Sequence, residues 1–147
     1  MKSLSLDIDQ ASCWGCLTCQ VACIQEASVI DNISMIRVSE NGPRLQNGQL
    51  AFSYAITVCQ HCADPDCLSV CPVEAIIKRD DGIVILDNAL CTGCQLCLEA
   101  CPFDAIFFDE SMDMAYKCNL CHQRIDHGLK PACADNVCLA HCIRLQG

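Results

Sequence analysis

Seventeen cysteines stand in this 147-residue chain, and twelve of them fall into three tight runs: Cys13, Cys16, Cys19, Cys23; Cys59, Cys62, Cys67, Cys71; and Cys91, Cys94, Cys97, Cys101. The other five gather near the C-terminus as Cys118, Cys121 and Cys133, with Cys138 and Cys142 as candidates for a fourth member. Thiols this closely spaced force the backbone into curls and leave little sequence for an ordinary core. Hydrophobic residues make up 52%, but that figure counts the cysteines, and only 5% are aromatic. Whatever the thiols bind must therefore supply much of the stability, as metals do in other small domains.

The third run reads C-x2-C-x2-C-x3-C-P, and the first has the same spacing with Ile24 in the proline's place. This is the iron–sulfur spacing in which the fourth cysteine ligates the other cluster of a pair. Gly15 and Gly93, each just before the second cysteine of its run, suit a chain that turns tightly and approaches inorganic sulfide. Two other uses of the thiols compete. Disulfides need an oxidising compartment, yet MKSLSLDIDQ has no apolar core behind a basic start, so the expectation is no secretory signal and a cytoplasmic protein. An odd total also leaves one thiol over. Structural zinc takes C-x2-C pairs separated by longer gaps, whereas four cysteines within eleven residues suit a cubane better.

No stretch approaches 18 apolar residues, so no membrane span is expected. An internal repeat gives the architecture. Residues 6–13 (LDIDQASC) align with 84–91 (VILDNALC), each a short strand leading through Asp-x-Ala-x into a cysteine turn. Cys71-Pro-Val-Glu-Ala-Ile-Ile likewise aligns with Cys101-Pro-Phe-Asp-Ala-Ile-Phe: a helical turn, a buried alanine, then a strand. Asp80-Asp81-Gly82 reads as the turn between Ile76-Ile77 and the strand from Ile83 to Leu86. Between the first and second runs, Ser34 to Ser39 and Leu50 to Thr57 read as strands of a hairpin, with turn signals at Asn41-Gly42-Pro43 and Asn47-Gly48. This hairpin is expected to cover one side of the clusters.

By the crossing rule, Cys59, Cys62, Cys67 and Cys101 would hold one cluster, and Cys91, Cys94, Cys97 and Cys71 a second. The first and fourth groups are left to each other, which nests one module inside the other. When Cys138-Leu-Ala-His-Cys142-Ile143 is laid on the second repeat, Cys138 takes the ligand place and Cys142 that of the buried alanine, a mild exchange for a thiol. The remaining sets are then Cys13, Cys16, Cys19 with Cys138, and Cys118, Cys121, Cys133 with Cys23; Cys142 is the alternative last ligand. The expected fold is α+β: tandem ferredoxin-like two-cluster modules, one nested within the other and stapled by clusters. An outer module spans 1–30 plus 112–147, a hairpin insertion 31–51, and an inner module 52–111.

With Cys13-Trp-Gly-Cys-Leu-Thr-Cys-Gln-Val-Ala-Cys23, Cys59-Gln-His-Cys62, Cys91-Thr-Gly-Cys94, Lys117-Cys-Asn-Leu-Cys121 and Gly128-Leu-Lys-Pro-Ala-Cys133 in place, the chain resembles the four-cluster electron-transfer subunits typified by the β subunits of the dimethyl sulfoxide reductase class. Related subunits serve formate dehydrogenases, hydrogenase-linked complexes, and tungsten enzymes of the aldehyde oxidoreductase and benzoyl-CoA reductase kinds. The resemblance implies four [4Fe–4S] clusters in a row. It also implies a catalytic oxidoreductase partner, a molybdenum or tungsten enzyme or a hydrogenase, with a soluble carrier or another cluster subunit at the other end. The chain departs from the family twice: four residues rather than three separate Cys133 from Cys138, and Leu139 replaces the usual proline. A three-cluster protein is the corresponding alternative.

A catalytic metal keeps an open coordination position. Each proposed cluster has a full set of thiolates, and no glycine-rich nucleotide fingerprint, Ser/His/Asp set or carboxylate pair stands apart from the cysteine runs, so no catalytic residue is assigned. His61 and His122 adjoin cluster cysteines and are read first as packing or solvated residues, with His127 and His141 weaker still. Trp14 is a candidate water shield for the first cluster, and Lys117 a candidate positive charge beside another. The net charge is −9 with histidines neutral, and each oxidised cubane with its thiolates adds about −2. Nucleic acid is thereby disfavoured as a partner, and a positively fringed docking face is favoured. The competing function is a metal-stabilised interaction or assembly module with structural clusters or zinc.

Overall fold

The computed structural model describes residues 3–27, 33–134 and 136–147. The expected boundary between the outer module and the hairpin insertion, at residues 30 and 31, lies outside them. The described residues form eight strands and four α-helices: β1 (Ser5–Ile8), α1 (Thr18–Ala27), β2 (Ile36–Gln46), β3 (Gln49–Val58), α2 (Asp66–Ser69), β4 (Ile76–Lys78), β5 (Val84–Leu86), α3 (Leu96–Ala100), β6 (Ile106–Asp109), β7 (Met114–Lys117), α4 (His122–Asp126) and β8 (Ile143–Gln146). Short 3-10 turns occupy Gln10–Ser12 and Ala132–Ala134. The class is α+β, in a ferredoxin-like arrangement of short helices and small sheets. Among the described residues no helix is long and apolar enough to cross a membrane.

The strands pair as four two-stranded antiparallel sheets, β1–β8, β2–β3, β4–β5 and β6–β7. The first joins residues from opposite ends of the described sequence, with Leu6 opposite Leu145 and Ile8 opposite Ile143. The Asp80-Asp81-Gly82 turn forms where the sequence places it, with Ile76 opposite Leu86 and Lys78 opposite Val84. A lone two-stranded hairpin is marginal in water, so each sheet must lean on what its cysteines surround.

The β2–β3 hairpin departs from expectation at its far end. Asn47 and Gly48 both take positive φ and make the turn, as an Asn-Gly pair favours. The Asn41-Gly42-Pro43 signal is instead a bulge between Asn41 and Arg44 inside a longer β2. A proline without an amide proton is tolerated at such a bulge. Two glutamine side chains fasten the near end. Gln10 Nε2 donates to Ile56 O at 2.9 Å while its Oε1 accepts from Ile56 N–H at 2.6 Å, and Gln20 Oε1 accepts from Val38 N–H at 2.5 Å.

Two packed cores result. One gathers Leu6, Ile36, Ile56, Val58, Ile83, Leu120 and Ile143 with Cys19, Cys133, Cys138 and Cys142. The other gathers Ile76, Val84, Ile106 and Ala115 with Cys67 and Cys97. Consecutive residues of one extended stretch, Ile83 and Val84, serve different cores, because successive side chains of a strand point to opposite faces.

Gly93 shows how tightly the cysteine turns are packed. Its φ is +70°, and a Cβ added there would lie 2.4 Å from Asp113 O. Gly93→Ala is expected to cost about 2–4 kcal/mol through backbone strain and overpacking. Gly48, with φ +77° and open space around it, should tolerate alanine far better. Urea midpoints of the two variants check the contrast.

Candidate metal centres

The residue before the second cysteine of each group adopts the same left-handed conformation. Gly15 and Gly93 have φ of +68° and +70°, and His61 and Leu120 take +47° and +55° in the corresponding places. At the two non-glycine positions the conformation aims an amide at sulfur: His61 N–H donates to Cys59 Sγ at 3.5 Å, and Leu120 N–H to Cys118 Sγ at 3.3 Å. The sequence signals this turn only where glycine occupies it. The close neighbour of Gly15 is the ring of Tyr54 on β3, so the hairpin packs directly on the first cysteine turn.

The second repeat is equally regular. Glu74, Asp104 and His141 have φ of +52°, +49° and +51°. The amide of each donates to the carbonyl of the cysteine three residues earlier, Cys71, Cys101 or Cys138, at 3.4, 3.3 and 2.9 Å. Ala75, Ala105 and Cys142 follow, all buried, and then the strands β4, β6 and β8 begin. Leu139 in place of proline leaves the turn intact. Cys142 is 2% exposed, and its Sγ lies 3.4 Å from that of Cys138.

The cysteines collect around voids drawn from more than one group. One cavity is lined by Cys59, Cys62, Cys67 and Cys101; a second by Cys71, Cys91, Cys94 and Cys97; a third by Cys23, Cys118, Cys121 and Cys133. Cys13, Cys16 and Cys138 all lie close enough to Cys19 to oppose its ionisation. Among the described residues no three Cys, His, Asp or Glu side chains converge on a point that one ion would occupy. The sulfurs surround space instead, and much of the remaining lining is apolar. A tetrathiolate-bound cubane fits that donor chemistry.

Burial pushes the Cys19 and Cys97 thiols up to about 11 and Cys118 to about 12, and raises Cys133 as well. Cys16 is the exception: it is exposed, and its hydrogen bond with the Thr18 hydroxyl, at 3.3 Å, holds its thiol below the usual value. Metal must displace protons from the buried thiols, so loading is favoured as pH rises.

The same electrostatic contacts order the sites. Cys19 opposes ionisation of Cys133, Cys59 that of Cys118, and Cys67 that of Cys97. The Cys13 set therefore adjoins the Cys118 set, which adjoins the Cys59 set, which adjoins the Cys91 set.

The other singled-out residues divide. Trp14 is 64% exposed, so it does not shield its site by burial. Lys117 is the opposite, a buried lysine rather than a solvated one, with Nζ donating to Val84 O at 2.5 Å and Cys118 O at 2.7 Å. His61 is buried; burial, aided by the charge of Lys117, drives its pKa down to about 3, so the ring is neutral. Its Nδ1 accepts from Val84 N–H at 3.0 Å, which leaves the proton on Nε2. His122 Nδ1 is buried with no partner among the described residues, while His127 Nδ1 contacts Gln123 O and His141 is exposed.

Comparison with known families settles the kinship. The 4Fe–4S dicluster domain matches residues 50–147. This protein belongs to that iron–sulfur family. Relatives include the B subunit of tetrathionate reductase from Salmonella typhimurium, 37% identical over 130 residues covering 88% of this chain and 52% of that protein. The B subunit of the anaerobic dimethyl sulfoxide reductase from Escherichia coli is 37% identical over 88% of this chain and 66% of its own length. The B subunit of polysulfide reductase from Wolinella succinogenes is 38% identical over 93% of this chain and 72% of its own. The sequence thus spans about half to two thirds of the length of the first two of these relatives.

Proposed function

We propose that this protein is an electron-transfer subunit, not catalytic alone, that carries electrons along four [4Fe–4S] clusters to or from a catalytic oxidoreductase. The ligand sets in this reading are Cys13, Cys16, Cys19, Cys138; Cys118, Cys121, Cys133, Cys23; Cys59, Cys62, Cys67, Cys101; and Cys91, Cys94, Cys97, Cys71. A bound [4Fe–4S] cubane supplies a one-electron couple whose potential depends on hydrogen bonds to sulfur and on exposure. The protein's own residues do the rest: thiolates fix the positions, the amides of His61 and Leu120 donate to sulfur, and apolar side chains limit water.

The observation that carries this reading is the row of four-thiol sites, each sharing an electrostatic contact with the next. A structural zinc module needs no such succession, and a substrate-handling site would keep a metal position free. The outer module, in this reading, is residues 1–30 with 112–147, and it encloses the inner module, 52–111. The pairing of β1 with β8 and the two separate cores support that nesting.

The relatives' names, all reductase subunits, favour a reductase over a hydrogenase as the catalytic partner, which in this reading is a molybdenum or tungsten enzyme. A chain that commits sixteen thiolates to clusters suits a reducing, cytoplasmic setting. The acidic protein would dock a positively fringed partner in a salt-sensitive way. Anaerobic native mass spectrometry of the isolated complex, combined with reductive titration followed by electron paramagnetic resonance, tests the reading. Four cubanes that reduce reversibly and pass electrons to a co-purified partner are expected. Redox-silent metal would sink it.

A further inference from the structure

Lys117 ends β7 directly before Cys118 and is 7% exposed. Its ammonium rests on two neutral carbonyls, Val84 O and Cys118 O, and among the described residues no carboxylate pairs with it. Burying a cation without a countercharge is costly, and such an arrangement persists where something anionic is close. The two cavities that Lys117 borders hold the thiols of two sites, together with the carboxylates of Asp66 and Glu26, of which Glu26 pairs with Arg124. Lys117 lies in the wall of the cavity bounded by Cys59, Cys62, Cys67 and Cys101, and also in that of a cavity bounded by Cys23, Cys118 and Cys121. Its charge favours ionisation of both Cys67 and Cys118.

Val84 fixes the lysine at that joint. Its carbonyl accepts from Lys117 while its amide donates to His61 on the other side of the same residue. His61 is neutral, so Lys117 alone supplies charge there. The other lysine beside these cysteines, Lys78, donates to Cys62 O at 3.0 Å and to Ala63 O, but it is exposed and therefore screened by solvent.

We propose, resting on the electron-transfer reading, that Lys117 is a fixed countercharge shared by the two middle sites, those of Cys118 and Cys59, and makes both easier to reduce. Reduction adds negative charge at each site, and a desolvated cation between them stabilises that charge far more than a solvated one. The end sites, built on Cys13 and Cys91, have no equivalent among the described residues. Lys117 thus acts as a positioning charge for the middle of the row.

Potentiometric titration by electron paramagnetic resonance of the cluster-loaded full-length protein tests this with Lys117→Met, Lys117→Gln and Lys117→Arg, and with Lys78→Gln as the solvated comparison. The neutral Lys117 variants should lower the one-electron reduction constant of two couples at least tenfold, which is 59 mV. Lys117→Arg and Lys78→Gln should each shift them less than threefold. Full iron content with unmoved midpoints in a neutral variant would overturn the proposal. If Lys117→Met loses iron, Lys117→Gln, which keeps a hydrogen-bond donor without the charge, decides the matter. Iron loss in both would make Lys117 a folding residue and equally overturn the proposal. A parent protein without reducible clusters would refute the electron-transfer reading itself, before any substitution is made.

Discussion

Cys138→Ser is expected to lose about a quarter of the iron held by the loaded protein, one cubane of four, and Cys142→Ala to lose none. The two thiols lie 3.4 Å apart, so proximity alone does not separate them. Backbone geometry does. His141 repeats the left-handed turn of Glu74 and Asp104, which puts Cys138 in register with Cys71 and Cys101, and Cys142 in register with Ala75 and Ala105. Burial first, and then its bond to Cys138, raise the Cys142 thiol to about 12, but burial does the same to the ligand Cys118, so the backbone register alone makes the assignment. Iron and sulfide assays on anaerobically purified variants read the difference. Loss of a cluster in Cys142→Ala alone would reverse the assignment. Retention of all iron by both variants would show that either thiol serves.

Removing iron is expected to unfold the protein rather than leave an empty scaffold. Among the described residues the four sheets are two-stranded, the longest α-helix has 10 residues, and cysteines make up part of each core. Marginal elements of this kind do not hold one another without the group at their centre. An anaerobic chelator should therefore abolish amide protection in β1–β8, which joins residues distant in sequence, along with protection in the short hairpins. Acid should accelerate the loss, because each released thiolate takes up a proton and burial makes the protonated form strongly preferred. Deuterium uptake before and after chelation measures this. A protected β1–β8 pair in iron-free protein would contradict it.

The parts of the fold that repeat were legible in the sequence. The Cys-x-x-acid-Ala-Ile form located two turns and the strands after them, and the looser Cys138-Leu-Ala-His-Cys142-Ile143 a third, because a buried small residue and a β-branched one at fixed offsets have one comfortable geometry. Asn47-Gly48 was equally plain. The length of β2 was not, since Asn41-Gly42-Pro43 carries the same residues as a turn and only the partner strand makes it a bulge. Within the candidate centres, glycine announced the left-handed turn at residues 15 and 93, but His61 and Leu120 adopt it without any local preference, held there by surrounding structure. Trp14, expected to shield a site, is exposed, whereas Lys117, a candidate charge beside a site, is buried there. Tertiary packing alone decides which of two residues beside a cysteine faces water.

Ile83 and Val84 give the molecule a mechanical character. Two successive side chains reach into separate cores, and the backbone of the second is gripped by His61 on one side and Lys117 on the other. The two halves are therefore stitched rather than placed side by side. Cutting out the inner stretch would strip an isoleucine of its surroundings and leave Val84 O without the lysine that caps it. Excision of residues 52–111 is therefore expected not to return a free-standing unit.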